Sequence, residues 1–186
     1  MTYLELYNAL NYVDHSRTKR REMSNLILNA PTHIKPLMEI AFQVDDPVSC
    51  KACWVLEFTA KEHLGYLFPS IDTFVHNIGS VHLDPAVRPI AKICEILMKS
   101  YFQLKDKETL DALNDEHLES ITSACFDWLI GDHKVAAQAY SMTSLLLLGR
   151  KFDWIHPELR MILEQNYQNG SAAYKARARM TLAKLR

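Results

Sequence analysis

The chain has 186 residues, and at roughly 150 residues per domain this length predicts one domain. Apolar residues make up 48% of it, enough to bury a sizeable core. The 21 basic and 22 acidic residues give a net charge of −1. This balance excludes a globally basic nucleic-acid-binding protein and leaves room only for a local basic face. Five glycines and seven prolines argue against an all-β fold and against disorder.

Targeting signals are not evident in the sequence. No apolar run approaches the roughly 18 consecutive residues of a membrane helix. The first residues lack the basic region and the long apolar stretch of a signal peptide. We therefore expect a cytoplasmic protein without membrane contact, whose four cysteines are reduced.

Apolar residues recur at helical spacing along nearly the whole chain. Residues 3–29 predict two helices, which we interpret as a covering pair at the N-terminal end. Further helical stripes lie at 37–44, 71–78 and 118–129. No segment alternates apolar and polar residues for long enough to require a strand. The sequence therefore predicts an all-α fold.

Four segments of the chain superpose on one another. Each has a helix-capping residue, an apolar residue about three positions later, and an alanine four positions after that. The first positions are Asp45, Asp84, Asp132 and Ser171; the apolar positions are Val48, Val87, Val135 and Tyr174; the alanines are Ala52, Ala91, Ala139 and Ala178. In the first segment Asp46, directly before Pro47, is predicted to be the N-cap of the helix. The apolar positions are 39, 48 and 39 residues apart, so we expect an insertion at 103–111. A helical stripe precedes each segment, which predicts repeated pairs of a first helix, a short turn and a second helix.

This pattern resembles the HEAT/armadillo-like repeat proteins, whose motif places aspartate at the turn, then valine, arginine and alanine. One segment matches all four positions, with Asp84, Val87, Arg88 and Ala91. The resemblance implies a right-handed α-solenoid, an α-α superhelix, over residues 1–186. The expected parts are an N-terminal helical cap at 1–30, repeats at about 31–65, 66–102, 112–149 and 150–186, and the insertion at 103–111.

In solenoids of this kind the second helices line the concave face, which such proteins expose for binding. Counting three residues back and one forward from each alanine gives equivalent positions on that face. These positions hold arginine or lysine in the second and fourth repeats, and one of them holds a tyrosine in the third. The predicted partner-binding residues are Arg88, Lys92, Tyr140, Lys175 and Arg179. A solvated helix face would show the same residues, so this pattern alone does not prove a site.

The main hypothesis is a non-enzymatic protein-binding or scaffold module whose partner is a protein, acidic where it meets these cations. Residues 152–186 carry six basic and three acidic residues, in keeping with such a partner. The alternative is nucleic-acid binding or excision of alkylated bases, because some DNA glycosylases are HEAT-like. The near-neutral total charge counts against that alternative, because phosphate contacts dominate nucleic-acid affinity. The sequence leaves the oligomeric state open.

Nothing in the sequence indicates a catalytic site, a cofactor or a metal. The nucleophile elbow, the phosphate-binding loop and the dinucleotide fingerprint are absent, and so is the serine-rich signature loop of helical lyases. Cys50 and Cys53 form a CxxC motif near a predicted helix start, where a thiol or metal role is conceivable. The motif lacks a βαβ context and a second CxxC, so we interpret both cysteines as core residues.

Overall fold

The computed structural model describes residues 1–185, which form eleven α-helices joined by short turns and contain no strand. The helices are α1 (Tyr3–Asn11), α2 (Arg17–Asn29), α3 (Ile34–Ala41), α4 (Pro47–Glu62), α5 (Ile71–Asn77), α6 (Asp84–Lys99), α7 (Lys107–Ala112), α8 (Asp115–Ile130), α9 (Val135–Leu148), α10 (Ile155–Tyr167) and α11 (Ala172–Leu182). The all-α prediction is confirmed. Within the described residues, no helix combines the length and the apolarity needed to cross a membrane.

The chain divides into two compact units, Met1–Ile93 and Cys94–Arg186. In the N-terminal unit, α4 is the central helix and contacts α1, α2 and α3. Tyr7 of α1 donates a hydrogen bond to Asp46 Oδ2 at 2.7 Å, which ties α1 to the start of α4. The interior is formed by fully buried side chains such as Leu10, Ile27 and Leu56.

In the C-terminal unit, α9 is the central helix. It packs against α8, with which it forms an antiparallel pair, and it also contacts α10 and α11. Trp128 is the largest of the fully buried side chains in this interior. The predicted insertion at 103–111 corresponds to the end of a π-helical turn, Ser100–Leu104, and most of the short helix α7.

The predicted helix caps are confirmed in two segments and wrong in two. Asp46 accepts a hydrogen bond from Val48 N at 2.8 Å, and Ser171 Oγ accepts one from Tyr174 N at 3.2 Å. Asp84 is instead the first residue inside α6. Asp132 does not cap α9, because a turn in which His133 N donates to the Gly131 carbonyl delays the helix start. The N-cap of α9 is Lys134, which makes no side-chain capping bond.

Candidate functional site

The five predicted partner-binding residues lie on three helices. Arg88 and Lys92 occupy successive turns of α6 in the N-terminal unit, and both are half-buried. In the C-terminal unit, Tyr140 is half-buried on α9, and Lys175 is half-buried on α11. Arg179, also on α11, is exposed. Two of the five residues thus belong to the N-terminal unit and three to the C-terminal unit.

Arg88 belongs to a set of charges that we call the N-terminal cluster, formed by Arg20, Glu57, Lys61 and Arg88. The Arg88 guanidinium donates to both carboxylate oxygens of Glu57, at 2.7 and 3.3 Å. The Glu57 side chain is only 1% exposed, and Lys61, one turn later on α4, also donates to it. A buried carboxylate needs such partners to offset its lost hydration. Arg88 therefore has a structural task in the N-terminal unit.

Arg20 completes the cluster from α2. Its guanidinium lies over the Trp54 ring, 4.4 Å from the ring centroid. Trp54 Nε1 in turn donates to the Pro85 carbonyl at 2.7 Å. Burial lowers the pKa of Arg20, and the nearby Arg88 charge lowers it further. Through these contacts the cluster joins α2, α4 and α6. Its charged side chains therefore mainly stabilise the packing of these helices.

Helix α11 has two basic flanks, separated by a buried stripe. Tyr174, Ala178 and Thr181 form this stripe. Arg179 lies on one flank, where it lines a shallow depression with Tyr167 and other residues of α10. Lys175 precedes Arg179 by one turn, so it projects from the same flank.

The opposite flank of α11 carries Arg177, and Lys184 lies in the turn directly after the helix. They line a cavity of about 160 Å³ that we call the C-terminal groove. The groove is lined by Lys99, Gln103, Thr143, Leu146, Leu147, Arg150, Arg177, Met180, Thr181 and Lys184. Four of these residues are cationic and none is acidic.

The cations of the C-terminal groove differ in how they are paired. Lys99 donates to Glu95 at 2.9 Å, and the Glu95 side chain behind it is 3% exposed. Arg150 makes a long hydrogen bond of 3.5 Å to the Phe102 carbonyl. Arg177 and Lys184 form no ion pair with any residue in 1–185. The groove therefore keeps an excess of positive charge.

Apolar surface accompanies this charge. Met180 is 57% exposed, and Leu146 is half-buried. His156 Nε2 donates to the Leu146 carbonyl at 3.0 Å, which fixes the start of α10 against this part of α9. The groove thus offers a ligand both cations and an apolar contact.

The turn after α6 positions the edge of the groove formed by Lys99 and Gln103. Ser100 and Thr109 share a hydrogen bond of 2.8 Å between their hydroxyls. The backbone and hydroxyl of Thr109 both donate to Asp106 Oδ2, at 2.9 and 2.7 Å. These hydrogen bonds from Thr109 lower the pKa of the Asp106 carboxyl. The inserted segment therefore anchors the end of α6 that carries Lys99.

Sequence reasoning missed the four cations of the C-terminal groove. Counting from Ala178 selected Lys175 and Arg179, whereas the groove uses the other flank of α11. A signal was present, because Arg177 and Lys184 are seven residues apart and both avoid the apolar stripe. Of the predicted residues, Tyr140 lies one turn before the groove residue Thr143, on the same face of α9.

The CxxC cysteines lie in the interior, as expected for core residues. Cys50 and Cys53 are buried and unbonded to each other. Burial raises the pKa of both thiols, which disfavours the reactive thiolate. Cys53 Sγ lies 3.6 Å from the Ala41 carbonyl, to which it donates. Within residues 1–185, no group of three or more histidine, cysteine, aspartate or glutamate side chains could hold a metal ion.

Comparison with known proteins returned no match to a family model, a curated protein or a solved structure. The resemblance to HEAT/armadillo-like repeats therefore rests on the four superposed segments. The C-terminal groove combines four cations, an exposed methionine and no acidic lining residue.

Proposed function

We propose that the chain is a non-enzymatic binding module, built as a solenoid of HEAT-like helix pairs, whose C-terminal groove binds an acidic segment of a partner protein. The observation that carries the proposal is the unpaired state of Arg177 and Lys184 on a surface without carboxylates. Consecutive helix pairs support the solenoid, because α9 contacts its own partner α8 and both helices of the next pair.

The lining of the groove favours a protein ligand that is both acidic and apolar. Exposed ion pairs contribute only about 0.2–1 kcal/mol each, so charge alone would bind a short segment weakly. Met180 adds burial of apolar area, at about 25 cal/mol per Å². A segment with alternating acidic and aliphatic side chains could use both kinds of contact.

The helix ends set a limit on the attraction for anions. The C-terminal halves of α9 and α11 both line the groove, through Leu147 and Thr181 among others. Each helix C-terminus carries a partial negative charge of roughly half an electron. These ends reduce the positive potential, so binding must depend on the four cationic side chains. Removing two of them should therefore have a large effect.

The experiment compares two charge-reversed variants of α11. The groove variant is Arg177→Glu/Lys184→Glu, and the matched control is Lys175→Glu/Arg179→Glu. Both change the net charge of the protein by the same amount, on opposite flanks of α11 and of the turn that follows it. The probe is a fluorescent twelve-residue peptide of alternating Glu and Leu, followed by anisotropy. We expect at least about tenfold weaker binding for the groove variant and less than about twofold for the control, because only the former replaces attractions by repulsions.

A second arm separates protein from nucleic-acid ligands. A labelled twelve-nucleotide single-stranded DNA is titrated under the same conditions and at several salt concentrations. We expect it to bind more weakly than the peptide. Tighter DNA binding with a steep salt dependence would replace the proposal by nucleic-acid binding. Equal losses in both α11 variants would contradict a specific groove and indicate general charge attraction.

A further inference from the structure

Two aromatic side chains form a partly exposed pair on the surface of the C-terminal unit. The Phe126 and Trp154 rings are stacked, with their centroids 5.7 Å apart and an angle of 22° between their planes. Phe126 lies on α8, and Trp154 is the N-cap of α10. Phe126 covers one face of the indole, yet Trp154 is 55% exposed. The exposed area therefore belongs to the other face and the edge of the indole ring.

The exposure of Trp154 sets it apart from the other tryptophans of the chain. Trp54 and Trp128 are 7% and 2% exposed. Ile130, one turn after Phe126 on α8, is 63% exposed and extends the apolar surface. Tryptophan is enriched among the residues that dominate binding energy at protein interfaces. An open indole face beside a second ring and an exposed isoleucine thus has the composition of an interface.

Carboxylates flank the aromatic pair. Asp153 directly precedes Trp154, and Glu158 lies one turn after it, where its backbone N–H donates to the Trp154 carbonyl at 3.4 Å. Asp127 follows Phe126 on α8. The three acidic side chains are exposed, and none forms an ion pair with any residue in 1–185. Helix α8 contains neither lysine nor arginine, so the surface around the pair is negatively charged.

The neighbouring helix ends do not reverse this charge. Helix α8 ends one turn after Phe126, and a helix C-terminus carries a partial negative charge. The start of α10 carries the opposite partial charge, which Glu158 in the first turn offsets. Lys151, three residues before Trp154, is paired with Asp115 at 2.6 Å. A positively charged ligand therefore meets a surface whose net charge is negative.

We propose that this surface binds an arginine-rich segment of a partner protein. We call it the aromatic–acidic surface, and it is formed by Phe126, Asp127, Ile130, Asp153, Trp154 and Glu158. An arginine guanidinium is planar and weakly hydrated, so it stacks on an indole ring while its N–H groups donate to carboxylates. A lysine ammonium is a compact, strongly hydrated charge without a planar face. The combination of an open ring with flanking carboxylates therefore favours arginine.

The test uses three labelled twelve-residue peptides, in which Ser alternates with Arg, Lys or Gln, followed by anisotropy at about 0.15 M salt. We expect the Arg peptide to bind about twofold more tightly than the Lys peptide and at least about tenfold more tightly than the Gln peptide. Trp154→Ala should weaken binding of the Arg peptide about fivefold, because the stacking contact is lost. Circular dichroism checks that this variant is folded.

A second variant leaves the aromatic pair intact and tests the charge alone. Asp153→Asn/Glu158→Gln should weaken binding of the Arg peptide about threefold, as expected for two exposed ion pairs. The matched control is Glu116→Gln/Glu119→Gln, which removes two charges from exposed positions earlier on α8. These positions lie about 10–15 Å along the helix from Phe126, beyond the Debye length of about 8 Å. The control should therefore lose less than about 1.5-fold in affinity.

Quenching of tryptophan fluorescence gives an independent readout, because Trp154 is the exposed one of the three tryptophans. Relative to a free tryptophan derivative, caesium ions should quench this residue more strongly and iodide ions more weakly. Asp153→Asn/Glu158→Gln should reduce that difference. Bound Arg peptide should shield the ring from acrylamide, a neutral quencher.

Four results would overturn the proposal. Wild-type affinity of Trp154→Ala would remove the ring from the site, and equally tight binding of the Gln peptide would indicate an apolar surface only. Equal losses in the two charge variants would indicate general charge attraction. Dimers that dissociate in Trp154→Ala, detected by light scattering, would make a second copy the occupant. Arg177→Gln/Lys184→Gln should bind the Arg peptide as the wild type does, so the outcomes for this surface and for the C-terminal groove are independent.

Discussion

Arg88 and Arg177 show how one residue type takes two roles in this chain. In the N-terminal cluster, Arg88 lies 2.7 Å from a carboxylate that is almost fully buried, that of Glu57. In the C-terminal groove, Arg177 has no carboxylate partner among the described residues. The difference depends on a single buried acidic side chain. An arginine beside it serves the fold, whereas an arginine without it remains available to a ligand.

The largest expected effect comes from removing Arg88. Arg88→Met leaves the Glu57 carboxylate buried with Lys61 as its remaining hydrogen-bond partner. We expect the free energy of unfolding to fall by about 2–4 kcal/mol, since breaking a buried ion pair leaves a poorly compensated charge. Arg177→Met should change it by less than about 0.5 kcal/mol, as is usual for a surface position. Urea unfolding of both variants measures the contrast.

A double variant serves as the control for this comparison. Arg88→Met/Glu57→Leu removes both charges and should recover most of the lost stability, because apolar replacement of a buried pair is often neutral. If Arg88→Met proved as stable as Arg177→Met, the structural role of the N-terminal cluster would be refuted.

The next largest effect is the pH dependence of stability due to the buried thiols. It tests whether both units keep these thiols protonated. Burial raises the pKa of Cys125 to about 12, whereas an unfolded thiol titrates near 8.5. The stability due to this shift is complete below about pH 8.5 and is lost as the pH rises towards 12. Each such thiol should lower the free energy of unfolding by up to about 1.4 kcal/mol per pH unit in that range.

The measurement is urea unfolding at several pH values between about 8 and 11. Cys125→Ala should show a shallower fall than the wild type, and Cys53→Ala should do the same in the N-terminal unit, where burial also raises the thiol pKa. Unchanged slopes in both variants would show that these thiols do not titrate as their burial requires.

The smallest expected effect is on the stability of the groove variant. Arg177→Glu/Lys184→Glu should unfold within about 0.5 kcal/mol of the wild type, because neither cation is paired. Thermal unfolding followed by circular dichroism is sufficient for this comparison. A loss of several kcal/mol would place these residues with Arg88 and would remove the distinction between the two regions.

Helical periodicity predicted most of the secondary structure, and local capping chemistry placed the starts of α4 and α11 at Asp46 and Ser171. The start of α9 was missed because a backbone turn at Gly131 displaces it, and such a turn has no apolar pattern. Glu57 could not be identified as a buried residue, because glutamate is normally exposed unless paired. Its partner Arg88 lies 31 residues away, so only the fold brings them together.

The sequence did not indicate which flank of α11 forms the C-terminal groove. The sequence indicates which residues form the buried stripe, but both flanks of that stripe are basic. Choosing between Arg177 and Arg179 requires knowing which neighbouring helix lies on each side. The packing of α9 and α10 supplies this information, and it comes from tertiary structure alone.

We propose the C-terminal groove, rather than another basic surface of the described residues, as the binding face. The most direct test is a titration of the ¹⁵N-labelled protein with the Glu/Leu peptide, followed by amide chemical shifts. We expect the largest changes at residues 143–150 and 177–184. Changes centred on Tyr167 and Arg179, or within residues 1–93, would contradict it.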